Sequence, residues 1–246
     1  VPRRKLATFL VNIASLRESA LPPLYTIGKL TVGASLAYGW RPHVEGRENV
    51  PRTGGVIFAG NHISAADQLF IGSTLSRHLA YWVKADAYRL KGVGGWITRS
   101  VLNGLGTIPV ERTGGRAALA AIDGAIPVLK AGGAVVVYPE GTRSPDGRLY
   151  RGRSGAARLA VLAGVPIVPV GTIGTDKLQP KGRFLPKLER RTVTVKYGKP
   201  IDTSAYSEDL SSLRALTDHV MSEIQKLTGQ EYVPRYSSAK APKSEA

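Results

Sequence analysis

His62 and Asp67 are the pair of side chains in this 246-residue sequence whose types and spacing best suit proton transfer. They lie in Asn61-His62-Ile63-Ser64-Ala65-Ala66-Asp67, just after Gly55-Val56-Ile57-Phe58-Ala59-Gly60, which reads as a short buried strand. Five residues along a continuous helix is a rotation of roughly 140°, which would aim the two side chains apart. They meet only if His62 precedes a helix and Asp67 sits in its first turn, an arrangement that the glycine and asparagine before and the helix formers after both permit. An aspartate bonded to one ring nitrogen fixes the tautomer and leaves the other as a base toward a hydroxyl supplied by a substrate. Ser64, three residues ahead of Asp67, also reads as a helix cap with an acidic partner in the first turn, which calls for no catalysis. Ser64 as a nucleophile is a further reading that fits the residue less well than a cap does.

A second constellation follows the strongest strand signal, Ala134-Val135-Val136-Val137-Tyr138. Pro139-Glu140-Gly141-Thr142-Arg143-Ser144 would stand at the carboxyl end of that strand, where α/β sheets collect function. Gly141 would let backbone amides approach an oxyanion, and Arg143 offers a planar fork to phosphate. A plain turn closed by a Glu140–Arg143 pair is the competing reading. Gly106-Thr107-Ile108-Pro109-Val110-Glu111-Arg112 is a weaker third set, again delivering an arginine from a strand end.

The elements that must position these groups alternate. Strand-like runs at 55–60, 81–84, 106–110, 134–138, 166–170 and 192–197 are interleaved with helical patterns at 65–75, 94–102, 115–129 and 154–162. This order predicts an α/β fold with a mixed, mostly parallel central sheet flanked by helices. Pro127 is expected to kink or end the helix that contains it. Leu210, Leu213, Leu216, Val220, Ile224 and Leu227 make one stripe of a carboxyl-terminal helix starting near Ser207. After Tyr232 the chain reads as a solvated tail.

The sequence has no Cys, so a thiolate metal site, an iron–sulfur site and a cysteine nucleophile are excluded. Scattered histidines leave zinc without a ligand set. Hydrophobic residues at 43% and charged ones at 21% suit a folded domain rather than disorder. The 34 Lys and Arg against 18 Asp and Glu leave a net charge of +16, which attracts polyanions. Residues 141–199 concentrate it, with 13 basic and 3 acidic side chains. No uninterrupted apolar run is long enough for a confident transmembrane helix. Leu6–Leu16 and Leu24–Tyr38, broken by Pro22-Pro23, read instead as helices lying in a bilayer interface or as a helical hairpin packed on the domain. The expected organisation is a helical membrane-associating segment over 1–43, an α/β domain over 44–232 and a flexible tail over 233–246.

Asn61-His62 with Asp67, Val110-Glu111-Arg112, Pro139-Glu140-Gly141-Thr142-Arg143-Ser144 and Val165-Pro166-Ile167-Val168-Pro169-Val170 occur in the order and approximate spacing of four sequence blocks. In this the chain resembles the glycerolipid acyltransferases, and within them the 1-acylglycerol-3-phosphate (lysophosphatidic acid) branch, over residues 44–201. The resemblance implies acyl transfer from acyl-CoA or acyl-carrier protein to the free hydroxyl of lysophosphatidic acid, giving phosphatidic acid without a cofactor. It makes His62 the general base and Asp67 its orienting partner. It assigns Arg112, Glu140, Gly141, Thr142 and Arg143 to the acceptor-phosphate and acyl-pocket blocks, sets Lys84 near the phosphate, and gives Pro166 a part in shaping the pocket. The chain departs from the family pattern at Pro109 and Glu111, where an aromatic and an aspartate are usual, and at Gly152, where a phenylalanine is expected.

The chemistry of the residues agrees. A neutral imidazole accepts a proton at pH 7. No thiol is present, and Gly152-Arg153-Ser154-Gly155 lacks the spacing of a G-x-S-x-G elbow, so direct attack without a covalent acyl-enzyme is favoured. The expected partners are the lysophospholipid, the acyl donor and an anionic membrane surface, with no metal and no nucleic acid, at the cytoplasmic face of the cell membrane. Glycerol 3-phosphate or a glycolipid hydroxyl is the rival acceptor. A basic non-catalytic binder of lipid or nucleic acid is the rival of another class. Neither a Walker A loop nor aromatics interleaved with the basic cluster supports that binder.

Overall fold

The run Val56–Gly60 is apolar at every position because both of its faces are covered. The computed structural model describes residues 31, 33–75, 77–104, 106–110, 117–180 and 187–237. In chain order the elements that matter are α1 (Ala34–Gly39), β1 (His43–Glu45), β2 (Val56–Gly60), α2 (Asp67–Thr74), β3 (Leu79–Ala80), β4 (Trp82–Lys84), α3 (Gly92–Gly104), β5 (Ile108–Val110), α4 (Ala117–Lys130), β6 (Ala134–Val137) and β7 (Leu149–Tyr150). They continue with α5 (Gly155–Ala163), β8 (Ile167–Ile173), α6 (Thr175–Leu178), β9 (Thr194–Tyr197), α7 (Leu210–Thr228) and β10 (Tyr232–Val233).

Six strands form the central sheet in the order β1-β9-β8-β2-β6-β3. Neighbours run parallel except β8 and β9, so the expectation of a mixed, mostly parallel sheet flanked by helices holds. Alternate side chains feed two cores. Ile57, Ala59, Val135 and Val137 pack with α4, α5 and α7 on one face. Val56, Phe58, Val136, Val168 and Val170 pack with α1 and α2 on the other. This two-sided burial is what erases the polar alternation from the strand sequences.

Local departures have physical causes. The strand expected at 81–84 divides at Tyr81. Leu79–Ala80 joins β6 in the main sheet, whereas Trp82–Lys84 pairs with Ile108–Val110 in a separate two-stranded ladder. The helix carrying Pro127 continues through it and ends at Lys130, since a proline within the last turn removes only one amide bond. α7 begins at Leu210 rather than near Ser207, because the Asp209 side chain accepts the Ser212 N–H and caps it there. Leu210 is therefore exposed in the first turn instead of belonging to the buried stripe of Leu213, Leu216, Val220 and Ile224.

The tail expected after Tyr232 is not solvated at its start. Tyr232–Val233 pairs with Leu149–Tyr150, and Val233 and Ser237 are buried. The expected amino-terminal segment falls outside the described residues up to 30, as does the chain from 238 onward. Among the described residues no helix is long and apolar enough to cross a membrane.

Candidate active site

The site grows from the carboxyl end of β2. Asn61, fully buried, clamps that end to β8: its Oδ1 accepts from Thr172 N at 2.8 Å and Thr172 Oγ1 at 3.0 Å, and its Nδ2 donates to Thr172 O at 2.9 Å. The next residue is His62, whose Nδ1 lies 2.8 Å from Asp67 Oδ2. Asp67 is the first residue of α2, so the pair meets in the way its spacing requires.

Asp67 is inaccessible to solvent, and both of its oxygens accept hydrogen bonds. Oδ2 also accepts from Ile63 N and Ser64 N, each at 2.9 Å, and Oδ1 accepts from Thr175 Oγ1. One carboxylate thus bonds both the imidazole and the two amides that precede α2. Ser64 lies two residues ahead of the helix cap, Ala66. Its hydroxyl donates to Gln179 O and accepts from Ala66 N while the residue is buried, which removes it as a nucleophile. With Nδ1–H donated to a carboxylate, His62 carries its lone pair on Nε2, which has no hydrogen bond to a described residue.

Two features around His62 were not read from the sequence. Tyr138 stacks on the imidazole with ring centroids 4.0 Å apart and planes 14° apart. Its hydroxyl is buried without a hydrogen-bond partner among the described residues, and burial, with the nearby Asp67 and Tyr81, pushes the phenol well above its ordinary range. The second feature is the Asn61 and Thr175 support from the end of β8. Tyr138 stood beside the quoted block, but stacking across strands leaves no signal in local spacing.

Glu140 requires a correction. It was expected to belong to the acceptor-phosphate and acyl-pocket block, and the turn's competing reading paired it with Arg143. Instead the carboxylate is 1% exposed and accepts from His62 N at 3.1 Å and Tyr150 N at 3.0 Å. It is a strut that ties the turn to the backbone of His62. Burial raises its pKa to about 7, with the two amide bonds opposing the rise. The Gly141 N–H is donated to Tyr138 O at 2.9 Å, and its φ of +75° explains the glycine. Ser144 N donates to His62 O at 2.7 Å and closes the turn over the histidine. Thr142 is half-buried, and Arg143 is exposed with no carboxylate partner among the described residues.

The remaining assignments divide by strand register. Lys84 ends β4 and is paired with Val110, the last residue of β5. Arg112, two residues beyond Val110, lies outside the described residues. Pro166 is placed at the opposite end. Ile57 pairs with Ile167 and donates to Pro166 O, while Gly60 pairs with Val170, which puts Pro166 roughly 15–20 Å along the strands from His62. Pro166 therefore lies away from His62, and Pro169 and Val170 are the residues of that block that come nearer to it. A cavity of about 530 Å³ lined by Arg47, Arg52, Ser73 and Thr74 lies at the far end of α2 from Asp67 and takes no part in this geometry. Among the described residues no group of three or more His, Asp or Glu could hold a metal ion.

An oriented imidazole, a buried carboxylate behind it and an arginine-bearing turn beside it can deprotonate a hydroxyl next to an anion. The acyltransferase family model matches residues 41–173, more than half of the chain. The chain belongs to the acyltransferase family. It is 34% identical over 133 residues to a 1-acyl-sn-glycerol-3-phosphate acyltransferase of Borreliella burgdorferi, covering 54% of this chain and 51% of that one. It is 29% identical over 157 residues to a chloroplastic 1-acyl-sn-glycerol-3-phosphate acyltransferase of Brassica napus, covering 63% and 44%. The chain spans about half the length of the curated relatives it matches. Its fold is similar to the crystal structure of the 1-acyl-sn-glycerophosphate acyltransferase PlsC from Thermotoga maritima, with a TM-score of 0.63, 26% identity and coverage of 91% of this chain and 88% of that one. The family match contains β2, His62, Asp67 and the 139–144 turn, the elements from which the geometry above is built.

Proposed function

We propose that this chain transfers a fatty acyl group from a thioester donor, acyl-CoA or acyl-carrier protein, to the free hydroxyl of lysophosphatidic acid, forming phosphatidic acid. The observation that carries the reading is the 2.8 Å contact of His62 Nδ1 with a buried Asp67, which leaves Nε2 as the basic nitrogen. The names borne by the similar proteins supply the substrate class.

In this reading the acceptor hydroxyl gives its proton to His62 Nε2 as its oxygen attacks the thioester carbonyl. Asp67 offsets the positive charge that forms on the ring, and Tyr138 holds the ring plane. The tetrahedral intermediate collapses, the C–S bond breaks, and the imidazolium returns its proton to the departing thiolate. Arg143 and Thr142, with Lys84 and Arg112, bind the acceptor phosphate. Glu140 positions the turn without touching substrate. No step calls for a cofactor.

The chain works at an anionic membrane surface, on the cytoplasmic side. Supporting this, Val93, Trp96, Ile97 and Val101 are exposed along one face of α3, with Leu90 exposed just before it. The net charge of +16 supplies the second attraction that reversible anchoring needs.

His62→Ala is expected to lower turnover of acyl transfer to lysophosphatidic acid by about two to four orders of magnitude while binding to vesicles persists. Undiminished turnover in that variant would remove the base from His62.

A further inference from the structure

Arg148, Arg151 and Arg153 leave one short stretch of chain and meet different surroundings. Arg148 is neutralised, with Nη2 2.7 Å and Nε 2.9 Å from Asp146 Oδ2 and Nη1 3.3 Å from Glu231 Oε1. Arg151 and Arg153 have no carboxylate partner among the described residues. Both instead face one aromatic ring, with guanidinium carbons 5.5 and 4.8 Å from the centre of Tyr236. The adjoining helix α7 carries two acids, Asp218, already bonded to Arg214, which also donates to Gly152 O, and Glu223, bonded to Lys226.

The arrangement is held in place. Arg151 N donates to Val233 O and Arg235 O, each at 3.1 Å, and Ser237 beyond Tyr236 is buried. Tyr236 itself is 46% exposed, so part of the ring is open to a ligand. Two cations within about 10 Å of each other, without a counter-charge, favour an anion between or beside them.

This cluster touches the catalytic turn. Arg153 N donates to Pro139 O at 2.8 Å, and Arg153 Nε lies 3.3 Å from where a side chain on Gly141 would begin. Gly141 follows Glu140, whose carboxylate holds His62 N. The Arg153 guanidinium therefore borders the same turn that holds His62.

We propose that Arg151, Arg153 and Tyr236 form the site for the nucleotide end of acyl-CoA. The paired guanidinium forks take its phosphates, and the open part of the tyrosine ring meets the adenine. A carrier-protein donor presents one phosphate and no base, so it would leave the open part of the Tyr236 ring without a ligand. The inference rests on the acyl-transfer reading for the identity of the donor, but its test does not need turnover.

The experiment measures the affinity of unacylated CoA for the full chain by calorimetry, with 4′-phosphopantetheine as the ligand that lacks the nucleotide. The Arg151→Gln/Arg153→Gln double variant is expected to bind CoA about 10- to 100-fold more weakly, and Tyr236→Leu more weakly than the parent, at unchanged melting temperature. 4′-Phosphopantetheine should bind the parent poorly and be indifferent to Tyr236→Leu. In turnover assays the KM for acyl-CoA should rise in the double variant while the KM for lysophosphatidic acid stays put. Equal CoA affinity in parent and variants, or a rise in the acceptor KM instead, overturns the site. CoA binding that is lost in the variants of a chain that transfers no acyl group would sustain the site and sink the activity.

Discussion

At the scale of single residues, the hydroxyl of Tyr138 is a liability that its ring outweighs. The ring stacks on His62, whereas the oxygen is buried with no partner among the described residues. Removing an unpaired buried hydroxyl is neutral or favourable, so Tyr138→Phe should keep acyl transfer and raise stability by up to about 1 kcal/mol in urea unfolding. Tyr138→Leu, which removes the stacked ring, should lower kcat; equal kcat in the two variants would deny the ring a positioning role. Glu140 offers a test by pH. Its pKa rises from 4.5 to about 7 on folding, chiefly through burial. The folded state therefore holds this proton more tightly than the unfolded chain, and the associated stability is full below about pH 4.5 and lost as pH passes about 7. Glu140→Gln cannot lose that proton. Relative to the variant, the parent should lose up to about 3 kcal/mol of stability between pH 4.5 and 8, and a difference independent of pH would refute the shift.

At the scale of elements, Gly152 shows how a helix decides a residue. A Cβ there would stand 2.8 Å from Met221 Sδ and 3.1 Å from Thr217 Cγ2, both on α7, and Met221 is itself fully packed. The place where the family's phenylalanine is expected is filled by α7, so Gly152→Ala should cost about 1–3 kcal/mol, read as a lower urea midpoint. The same scale separates what the sequence could tell from what it could not. The His62–Asp67 contact was legible because five residues can bring two side chains together only across a helix start. The strut from Glu140 to His62 N was not, because a carboxylate accepting main-chain amides leaves no partner residue type to search for. The distance of Pro166 from His62 was not legible because a strand's two ends look alike in sequence, and only the register of Ile57 on Ile167 tells which end faces the site. The alternation of helices and strands was legible throughout the main sheet, whereas the break at Tyr81 depends on where β6 stops.

At the scale of the whole molecule, the proposed surface binding would draw separately on charge and on an apolar helix face. Binding to vesicles containing anionic lipid should weaken as salt rises from about 0.05 to 0.5 M, since the Debye length contracts severalfold over that range. Trp96→Ser should lower the salt-resistant part that remains, and sedimentation with vesicles measures both. Sheet order has a consequence of its own for biosynthesis. β1 lies at one end of the sheet, and its neighbour is β9; Asn49 Nδ2 likewise bonds Tyr197 O across 148 residues. Translation delivers β1 early and β9 late, so β1 leaves the ribosome well before the strand it pairs with among the described residues. Until residue 197 emerges, β8 also shows an open flank. A nascent or truncated chain that stops short of β9 presents two bare strand edges to other copies, and its hazard is aggregation during synthesis rather than weakness once complete.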